Sequence, residues 1–268
     1  MKRILYNLLF FSIVALVTSC QDVIDLKVNS SDSQIVIEGN ITDQPGTQTI
    51  KISKSVSYTS SNTYPAVTGA KVVVTDSKGN TLSFVESVPG TYTFGPFKGE
   101  PGNTYTLNVN INGNTYTAVS TMPQPVKIDS LGLKEINFGG KGNFYPEVHY
   151  QDPANIANYY RYVMYINGVL TKRIYSESDR LTNGKAVTET LFYDTDEDNK
   201  KLEKGDKVDV EMQCIDQSVY TYWHTLDAQN QNGPGGGTAP GNPPSNISNK
   251  ALGYFSAHAV SKASLSVK

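Results

Sequence analysis

Three histidines, two cysteines, a short acidic run and an excess of tyrosine are the groups among these 268 residues most able to do chemistry. Their spacing decides what chemistry each can do. His149, His224 and His258 lie far apart in sequence, and none stands at metal-ligand spacing from another histidine or a cysteine. Each is read as a surface or partly packed imidazole. No Gly-x-Ser-x-Gly elbow surrounds any serine, and no Gly-rich loop opens a helix to cradle phosphate. The run Asp194-Thr195-Asp196-Glu197-Asp198-Asn199 alternates carboxylates as a calcium loop does. Asn199, however, stands where that loop needs glycine, and Gly205 where it needs a bidentate acid, so the run reads as a solvated acidic turn. The chain is accordingly read as non-enzymatic, without catalytic residue, metal or cofactor.

Tyrosine, with 17 residues, carries the remaining potential, because flat rings stack on sugar or clamp peptide backbone at low entropic cost. Tyr159, Tyr160, Tyr162 and Tyr165 sit in one strand-like run, where neighbours point to opposite sides, so they cannot all face one core. Tyr160 and Tyr162 are the rings assigned to ligand binding, and packing beneath another element is the alternative. Tyr222 and Trp223 read as anchors of a helix.

Cys20 has a different chemistry. Lys2-Arg3 precede an apolar stretch through Val17, then Thr18-Ser19-Cys20: a charged segment, a hydrophobic segment and small residues where a peptidase must fit the backbone. The apolar run is too short for a membrane span of about 20 residues. Residues 1–19 are therefore expected to be a signal peptide. Val17-Thr18-Ser19-Cys20 resembles the bacterial lipobox, which implies diacylation of the Cys20 sulfur. Each buried acyl methylene is worth about 0.8 kcal/mol, so several chains, palmitate among them, hold a protein on a bilayer. Residues 20–33 would then be a lipidated tether. Cys214 is the one other cysteine, so no internal disulfide is expected; its alternation with Val208, Val210 and Met212 predicts a buried thiol.

These groups need a scaffold, and composition allows one: 38% hydrophobic, 18% charged, net charge −2. Nothing there suggests disorder or a basic nucleic-acid face. Period-two alternation dominates, most cleanly in Thr104–Ile111, and Asn112-Gly113 turns that strand back. Asn167-Gly168 marks a second hairpin after Tyr159–Ile166. About seven short strands over residues 34–122 predict an antiparallel β-sandwich. Pro123 and Pro125 stiffen a linker at 123–129. A second β-rich domain over 130–268 follows, with one helix whose Val219, Tyr222, Trp223 and Leu226 lie at helical spacing behind Asp216 and Ser218 caps. The loop 233–244, nine of whose twelve residues are Gly or Pro, comes next. Leu252–Ala257 and Ala259–Val267 read as two closing strands. The fold class is thus all-β.

Val36-Ile37-Glu38-Gly39-Asn40-Ile41-Thr42-Asp43, Gly102-Asn103-Thr104-Tyr105, Ser120-Thr121-Met122-Pro123, Tyr220-Thr221-Tyr222-Trp223 and Leu252-Gly253-Tyr254-Phe255-Ser256-Ala257 occur in a characteristic order. In that order they resemble a Bacteroidetes outer-membrane lipoprotein family catalogued as a domain of unknown function. The resemblance implies an immunoglobulin-like N-terminal sandwich, exposure at the cell surface, and association with starch-utilisation-system-like TonB-dependent transporters and their lid lipoproteins. The chain is accordingly read as an accessory subunit that helps such a transporter capture an oligopeptide or glycan, and the missing basic patch argues against nucleic acid. The alternatives are a surface adhesin without a transporter, and a surface hydrolase using a carboxylate pair. Asp129-Ser130-Leu131 resembles the short O-glycosylation sequon of these bacteria, which makes Ser130 a candidate modification site.

Overall fold

A computed structural model describes residues 33–57, 63–137, 142–193, 201–230 and 241–268. The leader, Cys20, the acidic turn at 194–199 and most of the Gly/Pro-rich loop lie outside the described residues.

The alternation read in the sequence becomes seven strands: β1 (Ile35–Thr42), β2 (Gly46–Lys54), β3 (Lys71–Asp76), β4 (Thr81–Val88), β5 (Thr91–Phe97), β6 (Thr104–Ile111) and β7 (Asn114–Thr121). They run in the order β1-β2-β5-β4-β3-β6-β7. Thr81–Phe84 of β4 pair with β3 and Val85–Val88 with β5, the latter with a register shift between Glu86 and Val88, so one strand turns the corner between two layers. Ile37, Ile50, Val74, Tyr105 and Leu107 fill the space between the layers, each fully buried. Tyr92 is buried too, and its hydroxyl is satisfied, donating to Val67 O and accepting from Ala70 N, both at 2.9 Å. The β6–β7 hairpin turns at Asn112 (φ 50°) and Gly113 (φ 84°), the left-handed pair that a two-residue turn requires.

The following residues add β8 (Ser130–Ile136), β9 (Asn143–Gln151), β10 (Tyr159–Ile166), β11 (Val169–Leu170), β12 (Tyr175–Ser178), β13 (Ala186–Thr190), β14 (Lys207–Ile215), helix α1 (Gln217–Asn230) and β15 (Leu252–Ser266). β13-β9-β8 form a separate three-stranded antiparallel sheet. β10, with β11 and β12 on one side and β14 on the other, extends the large sheet.

β15 joins the two sets. Leu252–His258 pair in parallel with Val36–Thr42 of β1, and Ala259–Ser266 pair antiparallel with β14. The expected pair of closing strands is therefore one continuous strand of 15 residues. Residues Gly253–Ala259 are buried on both faces, which removes the polar alternation that would otherwise mark a single strand. Phe255 is fully buried and packs against Gly39, where a Cβ would stand 2.8 Å from the ring. Side chains complete the ladder where strands are missing. Asn246 accepts from Phe255 N and donates to Phe255 O, at 2.9 and 2.8 Å. Ser120 Oγ accepts from Ala257 N at 2.8 Å and donates to the Asp216 carboxylate.

Residues Ser33–Lys268 form one compact unit. The segment expected to be a linker lies within it: Met122 is fully buried, Val126 N donates to Cys214 Sγ at 3.3 Å, and Ile128 N donates to Ser261 Oγ at 2.9 Å. Cys214 itself is 1% exposed, and burial pushes its thiol up to about 11. At neutral pH it is an inert, protonated core residue.

His258 is sealed in β15 at 2% exposure, with Nδ1 2.9 Å from Ser256 Oγ. Burial holds it down to about 4, while Glu211 and Asp43 pull upward and Arg161 pushes downward. The folded value lies below the unfolded 6.5, so the stability contributed by neutral His258 is complete above pH 6.5 and is lost as pH falls toward 4. By pH 5 the loss amounts to about 2 kcal/mol. Urea midpoints measured from pH 7 to 5 should fall more steeply in the parent than in His258→Asn, whose slope lacks this contribution; equal slopes would contradict the assignment.

Candidate functional site: an aromatic-walled cleft beside α1

Helix α1 starts where Asp216 caps it. The Asp216 carboxylate accepts from Val219 N at 3.0 Å and from Ser218 Oγ at 2.6 Å. Val219, 1% exposed, fixes the inward face against Ile215 and Tyr254. Tyr222 and Trp223 are anchors, as their spacing implies: each packs against Tyr254, with ring centroids 5.1 and 5.0 Å away. Beneath them, the Arg161 guanidinium lies 3.8 Å from the Trp223 ring and donates to Gln213 Oε1 at 2.9 Å.

Arg161 reaches the helix because β10 alternates, and that alternation corrects the assignment of Tyr160 and Tyr162. Both rings point into the core, at 0% and 2% exposure, and neither is offered to a ligand. Their hydroxyls bond inside the protein, Tyr160 to Asp152 Oδ1 at 2.5 Å and Tyr162 to Tyr150 Oη at 3.0 Å. Burial raises both phenols well above their usual range. Buried Met164 and Ile166 share their face and are the sequence signal that identifies it as the inner one.

The other tyrosine of the adjacent pair, Tyr159, lies on the opposite face and begins an aromatic stack. Its ring centroid is 5.0 Å from Tyr220, and Tyr220 is 5.1 Å from His224, one helical turn further along α1. This stack forms one wall of an open cleft of about 740 Å³. The rest of the lining includes Glu177 and Ser178 of β12 and the 3-10 turn Asp179–Leu181. Asp179 fixes that turn: its carboxylate accepts from Asn183 Nδ2 at 3.0 Å, and its carbonyl accepts from Thr182 N and Asn183 N at 2.8 and 2.7 Å. Leu181, 75% exposed, stands at the rim.

Two carboxylates at and near the cleft are perturbed. Glu177 is held above the usual carboxylate range by desolvation, with His224 pulling it down and Asp227 pushing it up. Behind it, half-buried Glu189 of β13 is raised to about 7 by burial, with the charge of Glu177 adding to the effect. Sequence reasoning missed this couple, because the two acids come from β12 and β13, which share no sheet. Tyr220 and His224, at i and i+4 of an expected helix, were within its reach.

The remaining candidates lie elsewhere. His149 is half-buried on β9, with Nδ1 3.0 Å from Thr188 Oγ1. Ser130 is exposed as the first residue of β8, an outer strand of its sheet. Among the described residues no three His, Cys, Asp or Glu could together hold a metal ion, and no helix is long and apolar enough to cross a membrane.

Glu189 carries a stability cost whose sign is fixed. Its folded value lies above the unfolded 4.5, so the cost is absent below pH 4.5 and grows as pH rises through about 7. Allowing for its partly solvated head, the cost at pH 8 is about 1–2 kcal/mol. Glu189→Gln should therefore raise the melting temperature at pH 8 by roughly 2–4 °C per kcal/mol relieved. At pH 4 it should leave it unchanged, and calorimetry at the two pH values checks both.

No curated protein matches the chain. A domain of unknown function, DUF4249, matches residues 21–264. That span starts at the residue after Cys20 and includes every strand of both sheets except the last two residues of β15. The chain belongs to the DUF4249 family.

Proposed function

We propose that this chain is a lipid-anchored protein of the outer-membrane surface in Bacteroidetes, and that it works by binding rather than by catalysis. In this reading it is an accessory subunit that holds an oligopeptide or glycan beside a TonB-dependent transporter and its lid lipoprotein. The observation that carries the proposal is the order of parts at the N-terminus. An apolar leader ends in Thr18-Ser19-Cys20, and the family domain begins at the next residue. The open cleft beside α1 supports a binding role, since its walls are rings and carboxylates on a packed β scaffold. Acyl chains confine such a protein and its partners to one membrane surface, where high effective concentration lets weak contacts suffice.

The test combines chemistry and fractionation. Radiolabelled palmitate should enter the parent protein, and Cys20→Ser should abolish both the label and sedimentation with envelopes. Mild-detergent extracts of the outer membrane should yield the protein with a stoichiometric transporter. A Cys20→Ser variant that still sediments fully, or a parent that elutes with no transporter, would overturn the corresponding half of the proposal.

A further inference from the structure

We propose that the cleft between β12 and α1 binds an extended peptide through a basic side chain, whose stem lies along the Tyr159–Tyr220–His224 wall and whose cationic head meets Glu177. The inference rests on the reading of the chain as a binding subunit and narrows its ligand to a lysine- or arginine-bearing peptide.

Three features of the cleft point to that chemistry. The first is an unpartnered carboxylate. The carboxylate of Glu177, which lines the cleft, receives no hydrogen bond or ion pair from a described residue. Arg180 lines the same cleft but forms no ion pair with Glu177. An ammonium or guanidinium supplies several N–H groups and a positive charge to this exposed carboxylate.

The second feature is the wall. Tyr220 lies between Tyr159 and His224, with ring planes inclined by 31° and 22°, so the three rings make one continuous wall. The aliphatic stem of lysine or arginine packs along apolar surface while its head reaches for charge, and this wall with Glu177 beside it fits that shape.

The third feature selects a peptide over a free amine. β12 pairs with β10 alone, so among the described strands nothing occupies its second edge, and Glu177 and Ser178 of that strand line the cleft. An unpaired edge offers main-chain hydrogen bonds to an extended segment. Exposed Leu181 and Ile156 nearby, at 75% and 57%, provide apolar contact for residues flanking the basic one.

The experiment uses the full mature, lipidated protein in detergent micelles and a fluorescein-labelled octapeptide of alternating alanine and lysine, read by fluorescence polarisation. Its control is the same peptide with every lysine acetylated. The expected result is saturable binding that weakens about tenfold or more on acetylation, and by a similar factor in Glu177→Gln, with further loss in Glu177→Lys. Melting curves of both variants should overlay the parent, which separates loss of contact from loss of fold. Equal affinity for the acetylated peptide, no effect in either folded variant, or preference for neutral oligosaccharides over the lysine peptide would overturn the inference. No transporter is present in the assay, so its failure leaves the co-purification result untouched, and absence of a transporter leaves this assay untouched.

Discussion

A strand buried on both faces and paired along both edges cannot slip without dislodging everything around it. β15 meets that description in Gly253–Ala259, with β1 on one edge and the Asn246, Ser120 and β14 partners on the other. A slip of one residue would exchange Phe255 for Tyr254 or Ser256 against Gly39 and break the amide pairing of Asn246. Register is thus set by shape as much as by hydrogen bonding. Gly253, at φ +90°, belongs to the same constraint, because a Cβ there would lie 2.1 Å from Ile37 O.

The cleft inherits its precision from this strand. Ser120 on β7 bonds both β15 and Asp216, and Asp216 caps α1, so the first turn of the helix is tied to the sandwich and to the closing strand at once. Tyr254 of β15 then receives Tyr222 and Trp223, and Trp223 covers Arg161. With that side of α1 fixed, Tyr220 and His224 have one place to stand, against Tyr159 at the mouth of the cleft. A buried cation stands there without an ion pair: Arg161 meets a ring face and donates from Nη1 to Gln213, whose amide in turn donates to Glu211 at 2.7 Å, while its Nε is left without a hydrogen-bond partner.

Local signals carried much of this fold. Asn112-Gly113 and Asn167-Gly168 adopt the paired left-handed conformations that their identities favour, and both hairpins form where those dipeptides stand. Asp216 and the Val219–Leu226 spacing placed α1, and the alternation around Cys214 placed its thiol in the core. What was not legible depended on partners distant in sequence. β15 pairs in parallel with a strand more than 200 residues earlier, and burial on both faces erased the pattern that would have shown it as one strand. The sidedness of Tyr160 and Tyr162 depended on which face of β10 the three-stranded sheet covers, a tertiary fact that Met164 and Ile166 only hinted at. The Glu177–Glu189 couple required two strands of different sheets to be brought together, which no spacing along one segment encodes.

Hydrogen exchange followed against rising urea, with Trp223 fluorescence read on the same samples, reports directly whether β15 welds Ser33–Lys268 into one cooperative body. Amides of β6 in the sandwich and of β14 beyond it should converge on a single opening free energy and a single urea dependence, with the Trp223 transition at the same midpoint. Two separate opening reactions, β14 and Trp223 releasing at low urea while β6 stays protected, would mean that the strand joins two independent folds and that the cleft is not held by the sandwich.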